Sequence, residues 1–141
     1  MTRLFLTGIL PAVLAGAFAT PAGADSSDKA AERLAEFERT GDTTTCLSLR
    51  SVSQITPLSE TQFLVRVGVS DYYLNEVSGR CANADSAFTR LEYTTSLSQL
   101  CRGEIIRVVD NGTGMLAGSC GLGDFERLEK KKEAPAENSS N

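Results

Sequence analysis

The sequence contains no histidine and no tryptophan. The missing histidine removes the commonest general base, the commonest metal ligand and any Ser-His or Cys-His dyad together. Close Cys-x-x-Cys spacing is also absent. Redox-active pairs and four-cysteine zinc sites normally show it, whereas Cys46, Cys81, Cys101 and Cys120 stand about 20 to 35 residues apart. Nor is there a surplus of positive charge: 14 Lys and Arg face 18 Asp and Glu, a net charge of −4. The basic residues are spread singly except for Lys130-Lys131-Lys132. A protein that tracks phosphates carries a basic surplus or stripe, so nucleic acid is not an expected partner.

What is present starts with an export signal. Met1-Thr2-Arg3 is a short positive segment, an apolar run extends from Leu4 to about Ala19, and Ala22-Gly23-Ala24 precedes a polar stretch beginning at Asp25. That order marks residues 1–24 as a secretory signal peptide. A membrane anchor needs about 20 unbroken apolar residues, and this run is shorter and interrupted by Pro11. No cysteine follows the small residues, so lipid attachment is not expected. The mature chain is read as one domain, periplasmic or secreted, with no membrane span after cleavage.

In that compartment an even number of cysteines reads as two disulfides. Three pairings are possible and the sequence does not choose among them. The preferred one joins Cys46 to Cys120 and Cys81 to Cys101, tying the first strand to the last and closing a hairpin-sized loop. Each closure would contribute roughly 3–4 kcal/mol on the chain-entropy model.

Residues 25–44 read as a leader with a short helix, capped at Asp28 and carrying Ala30, Leu34 and Phe37 on one stripe. Residues 45–128 form the β domain. Cys46–Arg50 alternates, Pro57-Leu58-Ser59-Glu60 marks a turn, and residues 62–69 alternate with Phe63, Val65, Val67 and Val69 on one face. Asp71–Asn75 follows closely enough to be the hairpin partner. Ser78–Asp85 is loop by composition. Residues 86–94 make another strand, Thr95–Arg102 a connection, and Glu104–Val109 a strand apolar on both faces and therefore central. Asp110-Asn111-Gly112-Thr113 is a hairpin signal of the positive-φ type. Met115–Cys120 returns, and Gly121–Leu128 is the final strand. Residues 129–141 read as a disordered tail. Inward candidates are Leu47, Leu49, Phe63, Val65, Val67 and Leu74, together with Phe88, Ile106, Val108, Leu116 and Phe125. The expected fold is mainly β: a small antiparallel barrel or sandwich of five to six strands with a short N-terminal helix, stapled by disulfides.

No motif for chemistry stands out. Val108–Met115 shares letters with the first phosphate hairpin of the actin-like ATPases, but no second phosphate loop accompanies it, and a tight turn explains the same residues. The glycines from Gly112 to Gly123 precede no helix, as a dinucleotide site would require. Asn111-Gly112-Thr113 and Asn138-Ser139-Ser140 fit the glycosylation sequon and are read as turn and tail. Ser119–Gly123 is not a nucleophile elbow. Among the acids, Glu60, Asp71, Glu76 and Asp85 are the candidates for a carboxylate pair, though nothing in their spacing selects two. Tyr72, Tyr73 and Arg80 are read as cross-strand packing before binding. No catalytic residue, metal ligand or cofactor is assigned.

One resemblance gathers these features: Cys46-Leu47-Ser48-Leu49-Arg50, a Tyr-x-Leu segment leading to Arg80-Cys81, Leu100-Cys101 before Gly103–Val108, and Ser119-Cys120-Gly121-Leu122-Gly123 with Phe125. Over about residues 44–128 the chain resembles an uncharacterised family of small exported bacterial four-cysteine proteins, a domain of unknown function. The resemblance implies compartment and fold and carries over no catalytic position. The expectation is therefore a non-enzymatic periplasmic binding or envelope-associated module whose partner is an unknown protein or envelope component. The alternatives are an envelope hydrolase using paired carboxylates and an inhibitor of a secreted enzyme.

Overall fold

A computed structural model of the chain describes residues 26–95 and 97–132. The expected signal peptide and residues 133–141 of the expected tail lie outside them. The helix α1, Ser26–Leu34, opens the described part, with Asp28 in its first turn and Arg33 in its last, both favourable to the helix dipole. Ten strands follow: β1 (Phe37–Thr44), β2 (Cys46–Ser48), β3 (Val52–Pro57), β4 (Gln62–Val67), β5 (Asp71–Glu76), β6 (Thr89–Tyr93), β7 (Gln99–Cys101), β8 (Ile105–Asp110), β9 (Leu116–Gly121) and β10 (Phe125–Lys130). The fold is mainly β and antiparallel throughout, as the sequence predicts, with more and shorter strands than expected.

The strands form three sheets. Five pair in the order β1-β10-β5-β4-β3, three in the order β6-β8-β9, and β2 with β7 makes a short ribbon. The arrangement is sandwich-like and does not close into a barrel, because β3 and β6 each have a single pairing neighbour. Period two explains the layers. On β4, Phe63 and Val65 face the main core together with Phe125, Ile106, Val108 and Leu100, all fully buried. Leu64 faces the other way, with Leu74, Leu128 and Phe37, under Ala30 of α1. β4, an inner strand of the larger sheet, is thus buried on both faces. Tyr73 packs on the main core and Tyr72 on the helix side, its ring 4.9 Å from that of Phe37, so both tyrosines serve packing.

Several expectations are corrected. The disulfides are Cys46–Cys101 and Cys81–Cys120, not Cys46–Cys120 and Cys81–Cys101. The cause is the β2–β7 ribbon, which sets Cys46 directly opposite Cys101 with Cα atoms 4.0 Å apart. Cys81 then meets Cys120 on β9 from the neighbouring loop. Residues 37–44, read as part of a helical leader, are strand β1 paired with β10. Glu129 and Lys130, read as tail, extend β10 along that partner, and the Lys131 N–H donates to Glu36 O. Phe88 and Leu116, expected inside, are 77 % and 56 % exposed: Phe88 lies in the turn before β6, and Leu116 lies at the start of β9, where a register shift against β8 breaks the alternation. Val69 lies beyond the end of β4 and is exposed. Ile105 is also exposed, so β8 is central in its sheet yet apolar mainly on its inner face. The β8–β9 connection is a hairpin, but its positive φ falls at Gly114, not at Asn111 or Gly112. There the Asp110 carboxylate accepts from the Gly112 and Thr113 N–H groups, which holds its pKa below the usual range, the Thr113 N–H contributing most.

Candidate functional site

Two of the sheet edges, β3 and β6, line the same groove, of about 480 Å³. Its wall from β3 includes Val52, Gln54 and Ile55, and its wall from β6 includes Arg90, Leu91 and Tyr93. Val52, Ile55 and Leu91 also pack on the main core, so the groove opens directly over it.

Register fixes which backbone groups the groove receives. The Leu58 N–H donates to Gln62 O at 2.8 Å, in line with the pairs Thr56↔Leu64 and Gln54↔Arg66. Those residues therefore turn their polar groups toward β4, and Ile55 and Pro57 turn theirs away from it. On the other wall the Asn111 N–H donates to Phe88 O at 2.9 Å, in line with Arg90↔Val109 and Glu92↔Arg107. Leu91 and Tyr93 accordingly point their N–H and C=O groups away from β8. The groove thus receives the N–H groups of Ile55, Leu91 and Tyr93 and the carbonyls of these residues and Pro57. None has a hydrogen-bond partner among the described residues.

The end wall is a clamped loop that contributes Ala84, Asp85 and Ser86. The Cys81–Cys120 disulfide anchors it to β9. The Glu60 carboxylate accepts from the Asn83 N–H at 2.7 Å and from the Arg80 guanidinium; these bonds, the Asn83 amide foremost, hold the Glu60 pKa below the usual range. Asn83 takes a left-handed conformation (φ 61°), and its side chain donates to Ala117 O. Gly118 permits this approach, since a Cβ there would stand 2.4 Å from Ala82 O. Beyond Pro57 and Asp85 the groove continues into a hollow of about 230 Å³ bounded by Lys29 and Arg33 of α1. Both side chains are exposed, and neither is in an ion pair among the described residues.

The candidate acids are dispersed. Glu60 pairs with Arg80, Asp71 with Arg127 at 3.1 Å and Glu76 with Arg39 at 3.2 Å, and Asp85 lines the groove. A second cleft holds Arg39, Glu76, Glu126, Arg102 and Asp124. Each of its charges is in an ion pair: Arg39 bonds Glu126, lowering that carboxyl's pKa and raising its own, and also Glu76, while Arg102 bonds one oxygen of Asp124, whose Oδ1 is buried without a partner among the described residues. No group of three or more metal-ligating side chains occurs among the described residues.

The groove residues Ile55, Leu91 and Tyr93 were not singled out as a site by sequence reasoning. The local sign is Pro57, because a proline at the end of a strand-like run belongs on a sheet edge. No helix among the described residues is long and apolar enough to cross a membrane. Compared with known proteins, the chain matches no family model, no curated protein and no solved structure.

Proposed function

We propose that the protein is an exported, non-enzymatic binding module of the periplasm or cell exterior, and that the groove between β3 and β6 is where it engages a partner. The observation that carries this reading is the groove itself: two sheet edges left open over the main core, with an end wall fixed by a disulfide. The export pattern of residues 1–24 and the two disulfides support the compartment. Membership of the exported four-cysteine family belongs to the same proposal. The hydrolase reading has less support, because Glu60, Asp71 and Glu76 are each held by a different arginine.

The test is affinity capture from native envelope extract by the disulfide-bonded protein, with Leu91→Asp beside it as a groove variant of checked folding. The expected result is a partner retained by the parent protein and lost by the variant. No partner, together with turnover on a panel of envelope polysaccharides and peptides, overturns the reading.

A further inference from the structure

We infer that the groove takes an extended, acidic polypeptide segment, which adds one strand between β3 and β6 and directs its carboxylates to Lys29 and Arg33. This inference rests on the binding-module reading and deepens it by naming the class of ligand.

Three observations lead there. First, the two walls present complementary backbone groups with no partner among the described residues: three N–H groups, of Ile55, Leu91 and Tyr93, and four carbonyls, of those residues and Pro57. Backbone groups in that array are satisfied by another extended backbone, the mode by which peptides add to sheet edges. Secondly, both rows face one groove. A second copy of this chain would bring a strand already tied to its own sheet on one side, so it would pair with one wall only. An isolated segment has two free sides and pairs with both. Thirdly, the charges lining the groove and its extension are Lys29, Arg33 and Arg90 against Asp85, a cationic surplus on a chain of net charge −4. Arg90 is already bonded to Glu92, which leaves Lys29 and Arg33 as the cations open to an incoming carboxylate. The side chains beside the backbone rows are Val52, Ile55 and Leu91, so alternate positions of the segment would be apolar where they face the core.

The probe is an immobilised library of random hexapeptides, selected on the full disulfide-bonded protein, with enriched peptides then titrated in solution. Enriched sequences should alternate apolar and polar residues and carry Asp or Glu toward one end. Bound peptide should slow amide hydrogen exchange at Ile55, Leu91 and Tyr93. N-methylation of alternate peptide amides should weaken binding at least tenfold. The double variant Lys29→Gln/Arg33→Gln, at two exposed positions, should remove the acidic preference in a protein that still unfolds in one cooperative thermal transition. Tyr93→Pro removes a groove-facing donor and leaves the ladder to β8 intact, so it should weaken binding at least fivefold in a folded protein.

No enrichment overturns the inference, as do enriched peptides that leave those three amides unprotected, or concentration-dependent dimerisation through β3 in place of peptide binding. Failure here beside a partner captured from envelope extract would leave the binding module standing with a different ligand. Failure of both would remove the module reading as well.

Discussion

The two seams between the sheets of this sandwich are built in opposite ways. On one side β9 is joined to the larger sheet. The Ser78 N–H donates to Gly121 O at 2.8 Å, the fully buried Asn75 side chain bonds Gly123 N, Gly123 O and Asp124 O, and Cys81–Cys120 closes the loop between. On the other side β6 and β3 face a common groove without bonding across it. Hydrogen bonds cross one seam and unpaired backbone lines the other, while Cys81–Cys120 holds the loop that runs from the first to the end wall of the second. On the proposed function, the open seam is the working one.

The comparison can be broken most severely at the closed seam. Replacing Cys81 and Cys120 together by alanine removes a link across 39 residues, and the chain-entropy model expects a loss of about 4 kcal/mol. Denaturant unfolding of the double variant checks it, and a loss below about 1 kcal/mol would mean that the seam does not depend on the bridge. Asn75→Ala comes next, with an expected cost of about 2–3 kcal/mol, because the partly buried Gly123 and Asp124 backbone groups lose their partner.

The open seam is sharpened by a proline pair. Glu92→Pro deletes a ladder bond to Arg107 on β8, whereas Tyr93→Pro deletes an N–H directed at the groove. The first should cost at least about 1–2 kcal/mol more than the second in thermal unfolding. Equal losses would show that the assignment of inward and outward amides on β6 is wrong.

The smallest expected effect is electrostatic. Glu60 has a folded-state pKa below its unfolded value, so its contribution is present above the unfolded pKa and is lost as the pH falls through the folded one. Glu126 behaves in the same way at the second cleft. Stability should therefore decline on acidification below the ordinary carboxylate range. Glu60→Gln should be less stable at neutral pH and show a flatter decline, measured as the denaturant midpoint between pH 7 and pH 3. A slope identical to that of the parent protein would remove Glu60 from the account.

The closed parts of the molecule were more legible in the sequence than the open one. The β4–β5 hairpin was readable because Phe63 and Val65 keep strict period two, and the central strand β8 because Ile105, Ile106, Val108 and Val109 make a short apolar run. Ala30, Leu34 and Phe37 were correctly seen as one apolar set and do lie in one cluster, yet the backbone changes from helix to strand between Leu34 and Phe37. Burial was legible there and conformation was not, since pairing with β10 overrides the helical spacing. β2 and β7, three residues each, are too short to show a period, and that concealed the pairing of Cys46 with Cys101. The groove is a matter of which strands do not pair. Ile55, Leu91 and Tyr93 carry no local pattern that announces it, because topology leaves their backbone groups free.

Pro57 and the bulge between Val52 and Gln54 have a further consequence for the protein in bulk. They interrupt β3 at both ends, leaving Ile55 as the residue that offers both a donor and an acceptor on that edge. Two copies meeting edge to edge along β3 would gain few bonds, so growth of a fibre along this edge is disfavoured at high concentration while a strand-shaped vacancy stays open at the surface.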